Sequence, residues 1–211
     1  MNHALTPQAP RRIGVFGGSF DPPHNAHLAL ALAAITGLAL DELRIVPTGQ
    51  AWHKARTLSP AEDRLAMTRL AFEGMPHVLV DDREIKRPGP TFTIDTLEAL
   101  HAENTGARLY LIMGADQFAA FQQWHRWQAI VELAIICIAD RAISTGGNAG
   151  FDAYKGLESR FTRLSMPLMP VSATQIRQLA ASGTPQNPEL DKLVPVAVAR
   201  YIARKQLYRH R

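Results

Sequence analysis

Six short apolar runs punctuate the chain, at Arg12–Phe16, Leu43–Pro47, Val78–Asp82, Arg108–Met113, Ala134–Ala139 and Leu164–Met169. Each has the length and composition of a buried strand. Between them the apolar positions follow a helical period, near Ala26–Ile35, Phe92–His101, Trp127–Leu133, Thr174–Ser182 and Pro195–Gln206. The clearest helix is "SPAEDRLAMTRLAFEG". There Ser59 suits the N-cap, Pro60 the first helical position and Glu62 a capping box, while Gly74 suits the C-cap. Leu65, Met67, Leu70, Ala71 and Phe72 supply its apolar stripe. Alternation of this kind predicts an α/β fold, a doubly wound parallel sheet of five to six strands with helices on both faces and a small helical C-terminal part. Residues 1–10 read as a flexible tail and residues 11–211 as a single domain. Ligands of such sheets bind beyond the carboxyl ends of the strands, so the residues that follow each strand matter most.

Composition narrows the class. The chain has 211 residues, 46% hydrophobic and 20% charged, as in an ordinary globular protein. Its net charge of +4 suits anionic small substrates. The basic residues are dispersed except in the closing "ARKQLYRHR", which argues against a nucleic-acid surface. Cys137, in "LAIICIAD", is the single cysteine, which excludes an internal disulfide or a cysteine metal site. The first ten residues lack the basic and apolar regions of a signal peptide, and no apolar stretch approaches a membrane span. A cytoplasmic enzyme is expected. Whether it forms a homo-oligomer stays open. The loop "STGGNAGFDAYKG" reads as mobile surface.

The stretch "GGSFDPPHNAH", Gly17–His27, carries the chemistry. Gly17 and Gly18 end the first strand and let a ligand approach the backbone. Pro22 and Pro23 fix an extended path, and either Asn25 or His24 caps the following helix. The N–H groups and dipole of that helix end make a phosphate site. His24 and His27 lie three apart and share one face of its first turn. The positive helix end disfavours imidazolium, whereas a bound polyphosphate favours it, and either form can donate a hydrogen bond. No P-loop lysine is present, and Gly14, Gly17 and Gly18 miss the dinucleotide-binding spacing, which disfavours a redox Rossmann enzyme.

These residues resemble the nucleotidyltransferase superfamily signature G-x-F-D-x-x-H-x-G-H, with Ala26 in place of its second glycine. Further segments resemble nicotinate-nucleotide adenylyltransferases. They are "GQAWHKARTLSPAEDR" (Ala51-Trp52 replacing Pro-Pro before His53-Lys54), "GPTFTIDTL", "IMGADQFAAFQQWHRWQAI", "VSATQIR" and "LVPVAVARYIARKQLY". The likeness runs in order from Arg12 to Tyr208. It implies a Rossmann-like fold and a late step of NAD synthesis, in which ATP and nicotinate mononucleotide give nicotinate adenine dinucleotide and pyrophosphate.

It also implies roles. Gly17, Gly18, Ser19 and Phe20 would form the turn under ATP, and His24, His27 and Arg177 would act on its phosphates. Asp116, beside Gly114 after the strand "RLYLIMG", would take ribose hydroxyls or cap a helix starting at Gln117. Ser172 and Thr174 would join Arg177 in a second anion site, one hydroxyl capping the helix. Lys54 would meet the mononucleotide phosphate, with Arg141 a further phosphate residue. Phe92, Thr93, Trp124 and His125 would serve the nicotinate ring and carboxylate, with Trp124 stacking on the ring and Trp127 in the core. Mg²⁺ would come bound to the ATP phosphates, with no dedicated protein metal site. Phosphopantetheine adenylyltransferases and cytidylyltransferases share the first motif, but "TFTIDTL" and "WHRW" argue against both. Intact His24, His27 and Arg177 argue against a non-catalytic nucleotide-binding regulator.

Overall fold

A computed structural model describes residues 9–49, 57–141, 156–182 and 187–209, with the backbone alone for Asp140 and Arg141. Most of the expected tail and the loop from Ser144 to Lys155 lie outside the described residues. Six strands, β1 (Arg12–Gly18), β2 (Glu42–Pro47), β3 (Val78–Val80), β4 (Arg108–Gly114), β5 (Ala134–Arg141) and β6 (Phe161–Met166), build one sheet in the order β3-β2-β1-β4-β5-β6. Every pairing is parallel. The expected doubly wound sheet is therefore present.

Period-two alternation gives the sheet two apolar faces. In β1 and β4, Phe16, Tyr110 and Ile112 pack on one side under α1 (Asn25–Gly37), α2 (Ala61–Phe72) and the C-terminal helices. Ile13, Val15, Leu109, Leu111 and Met113 pack on the other. That second face is covered by α4 (Thr93–Glu103) and α6 (Trp127–Leu133); the short α3 (Arg83–Lys86) and α5 (Ala115–Ala119) close strand ends. The helical C-terminal part is α7 (Ala173–Ala181), α8 (Pro188–Leu193) and α9 (Val196–Lys205). The sequence pattern does not show α8, which is only six residues long.

Three expectations change. The last strand is Phe161–Met166 and not Leu164–Met169. Pro167 has no N–H to continue the ladder, and Leu168 is exposed. Ser59 does not cap α2. Pro60, which has no polar side-chain atom, occupies the N-cap, and the Ser59 N–H donates to Asp21 Oδ2 at 3.2 Å. The buried stripe of α2 is also turned by one position. Arg64, Met67, Thr68, Ala71 and Phe72 are buried, while Leu65 and Leu70 are half-buried. Gly74 adopts φ +72, the left-handed conformation that stops the helix one residue beyond its cap, Glu73.

The chain leaves β1 toward β2 and β3 on one side and returns through β4 to β5 and β6 on the other. This reversal opens a crevice beyond the carboxyl ends of β1 and β4, the general ligand position of such folds.

Candidate active site

A cavity of about 370 Å³ fills that crevice. Gly17, Gly18 and Ser19 form one wall with His24, Ala26 and His27 from the start of α1. Phe92, Thr93, Trp124 and His125 form the opposite end. Gly114 and Asp116 follow β4 between them, and Ser172 closes the side next to α7. One cavity thus gathers most of the residues chosen from the sequence.

Phe20 is an exception. It is 1% exposed, has φ +45 and does not line the cavity. Its ring lies under Gly18, where a Cβ would stand 3.0 Å away, and packs edge-on against Phe16, Phe72 and His27. The Phe20 side chain supports the turn from the core. A side chain at Gly18 would press on that ring, which would have to give by a few tenths of an ångström.

His24 is the N-cap of α1, and Asn25 instead bonds the Lys192 carbonyl. The His24 and His27 rings stack with centroids 3.7 Å apart. The His24 backbone N–H donates to Nδ1 of His27 at 3.1 Å, so the His27 proton resides on Nε2. Burial, with the His24 ring beside it, holds the His27 imidazole well below its ordinary pKa. His27 is therefore a neutral donor at pH 7.

The second side is built on Asp21, which is 1% exposed. Its Oδ1 accepts from the Tyr208 hydroxyl at 2.8 Å, and its carbonyl accepts from Arg177 at 2.9 Å. Burial and the Asp21 carboxylate push the Tyr208 phenol upward, so it stays a donor. Arg177 also donates to Thr174 Oγ1 at 3.0 Å. Ser172 caps α7 by accepting from the Gln175 N–H at 3.2 Å, as one of the two hydroxyls was expected to do. Arg177 and Thr174 stand beside the turn, outside the cavity lining.

At the far end the Phe92 and His125 rings lie 4.5 Å apart, with Phe92 the N-cap of α4. Trp124 packs in a T-shaped contact with Phe121 and lines the cavity. Trp127, half-buried, packs against Phe121 at the edge of the core and is not among the cavity-lining residues. Asp116 does not cap a helix at Gln117. It lies inside α5, whose N-cap is Gly114, and the Gly114 N–H donates to Gln117 Oε1 at 3.3 Å. Lys54 and the Arg141 side chain lie outside the described residues. Among the described residues no group of three or more His, Cys, Asp or Glu is placed to hold a metal ion.

A family model described as cytidylyltransferase-like matches residues 15–179. A protein of Albidiferax ferrireducens named "Probable nicotinate-nucleotide adenylyltransferase" is 55% identical, over 94% of this chain and 98% of that one. A Bordetella avium protein of the same name is 44% identical, over 94% and 98%. The chain belongs to the nicotinate-nucleotide adenylyltransferase family. The fold agrees. A Plasmodium falciparum nicotinic acid mononucleotide adenylyltransferase complexed with NaAD superposes with a TM-score of 0.75, covering 94% of this chain and 97% of that one at 19% identity.

Several residues of this family member were not singled out from the sequence. Asp21 binds through its backbone carbonyl and both carboxylate oxygens. Glu84, 8% exposed, lines the cavity and accepts from Thr96 Oγ1 at 2.9 Å; burial pushes its carboxyl upward. Arg64, 2% exposed, donates to four carbonyls. No local feature of the sequence marks Arg64 as buried.

Proposed function

We propose that this chain transfers the adenylyl group of ATP to nicotinate mononucleotide, giving nicotinate adenine dinucleotide and pyrophosphate. The observation that carries this reading is a single cavity with a stacked histidine pair at a glycine turn on one side and the Trp124–Phe92–His125 wall on the other. One end suits a polyphosphate and the other a flat ring.

The nucleophile is a phosphate oxygen of the mononucleotide, already an anion, so no general base is needed. That oxygen bonds to the α-phosphorus, the bond from the α-phosphorus to the bridging oxygen breaks, and pyrophosphate leaves with the electron pair. Catalysis reduces to alignment and charge stabilisation. Gly17, Gly18 and Ser19 would cradle the phosphates with backbone N–H groups. His27, donating from Nε2, and His24 would stabilise charge at the reacting phosphorus. Arg177 would meet the triphosphate beside Ser172 and Thr174, and Asp116 the ribose hydroxyls. Trp124 would stack on the pyridine ring, with N–H groups near Thr93 and His125 taking its carboxylate. Lys54 and Arg141 would bind the mononucleotide phosphate.

Mg²⁺ would arrive on the ATP phosphates and neutralise part of their charge. The Asp21 carboxylate is already bound by the Ser59 N–H and Tyr208, which fits a metal held by phosphates and water. The partners are small molecules in the cytoplasm. No described helix is long and apolar enough to cross a membrane. ATP labelled at the α-phosphorus tests the reaction class: the label enters the dinucleotide. Label in pyrophosphate, or transfer of a γ-label to the mononucleotide, contradicts it.

A further inference from the structure

Arg64 lies in α2, behind the cavity wall. Its Nη1 donates to the carbonyls of Thr48 at 2.7 Å and Ser19 at 3.1 Å, its Nη2 to that of Gly49 at 3.4 Å and its Nε to that of Ser59 at 3.0 Å. The remaining carbonyl at this junction, Gly18, accepts from the Thr48 N–H at 2.9 Å. Gly18, Ser19 and Thr48 all line the cavity. Gly49 is fixed from the other side, because a Cβ there would fall 2.2 Å from the Glu84 carbonyl oxygen.

In a planar trans peptide the C=O and the next N–H point in opposite directions. A donor that takes the Ser19 carbonyl on the α2 side turns the Phe20 N–H away from α2. A donor that takes the Thr48 carbonyl does the same for Gly49. A carbonyl oxygen left facing an anionic ligand would repel it, whereas an N–H attracts it.

We propose that Arg64 is the positioning residue of the phosphate site. It draws the carbonyls of Ser19 and Thr48 out of the cavity, so that an incoming polyphosphate meets N–H groups, and its bond to the Gly49 carbonyl ties the same turn down. The guanidinium is suited to this because its donors form a rigid fork that holds several oxygens at once; a lysine ammonium is a compact point charge on a flexible stem. Arg64 does not touch substrate and acts through the two turns. The inference rests on the reading of this cavity as a nucleotide site.

The test compares the parent with Arg64→Lys and Arg64→Met, using inorganic tripolyphosphate and adenosine as separate probes alongside a thermal melt. Arg64→Lys is expected to fold, to lose about tenfold or more in tripolyphosphate affinity and to bind adenosine within about twofold of the parent. Arg64→Met is expected to lose more for tripolyphosphate, and to melt lower because it leaves buried carbonyls without donors. Equal losses for both probes, unchanged affinity for both, or a lysine variant that fails to fold overturns the inference and makes Arg64 a plain fold residue. A parent that binds neither probe overturns the reading of the cavity, and the inference falls with it.

Discussion

The His24 backbone N–H donates to Nδ1 of His27 at 3.1 Å while the two rings stack 3.7 Å apart. The pair forms one unit at the first turn of α1. Replacing either histidine by alanine is expected to lower turnover more than it weakens ATP binding. Donors aimed at developing charge contribute on the order of 3 kcal/mol, which corresponds to about a hundredfold in kcat. Steady-state kinetics with ATP varied measures this. A folded variant within about threefold of the parent would make that histidine structural.

Burial of the His27 ring, with the His24 ring beside it, gives a pH dependence to stability. The His27 pKa is lowered in the folded chain from the ordinary value of 6.5. As pH falls below that value the unfolded chain binds a proton that the folded chain does not yet accept, so folding weakens. Its contribution is complete above the ordinary value and is lost as pH falls toward the folded one. Melting temperature against pH, from about 7.5 to 5.5, is expected to decline more steeply in the parent than in His27→Gln. Parallel curves would show that His27 carries no such coupling.

Trp124 lines the cavity and packs against Phe121. Trp124→Ala is expected to raise the mononucleotide KM about five- to hundredfold and to leave the ATP KM nearly unchanged, since stacking on a flat ring contributes about 1–3 kcal/mol. Trp124→Phe keeps part of the effect. A large fall in melting temperature with parallel losses for both substrates would assign Trp124 to the core instead.

Arg177 holds the Asp21 carbonyl next to the histidine turn. Arg177→Ala is expected to weaken productive ATP binding about tenfold or more, and Arg177→Lys to restore it only partly, because an ammonium cannot bridge two phosphate oxygens in the same plane. The ATP KM and kcat/KM of the three proteins decide it. Full recovery with lysine would mean that only charge matters at that position.

The parts of this site legible in the sequence are the local ones. Gly17-Gly18, His24 and His27 announce themselves because a strand end, a helix start and an i, i+3 pair occupy eleven consecutive residues. Strand alternation likewise foretells the two-faced sheet, since Ile13 and Val15 face one side and Phe16 the other. Long-range satisfaction leaves no such trace. Arg64 serves carbonyls 45 and 16 residues away, and nothing in "AEDRLAM" distinguishes a buried arginine from a solvated one. The place of the Phe20 ring is equally illegible. A left-handed φ of 45 at a bulky residue turns its ring beneath Gly18, away from the ligand side. Ser59 matches a capping box in sequence, but its N–H is claimed by Asp21, 38 residues earlier.

Pyrophosphate release with ATP and each of two mononucleotides, nicotinate and nicotinamide, tests the central claim most directly. The account predicts stoichiometric pyrophosphate and dinucleotide with nicotinate mononucleotide, and a kcat/KM for the amide at least about tenfold lower, since the ring site is read as one that takes a carboxylate. Equal or faster turnover of the amide would contradict the substrate assignment. No pyrophosphate with either mononucleotide would contradict adenylyl transfer itself.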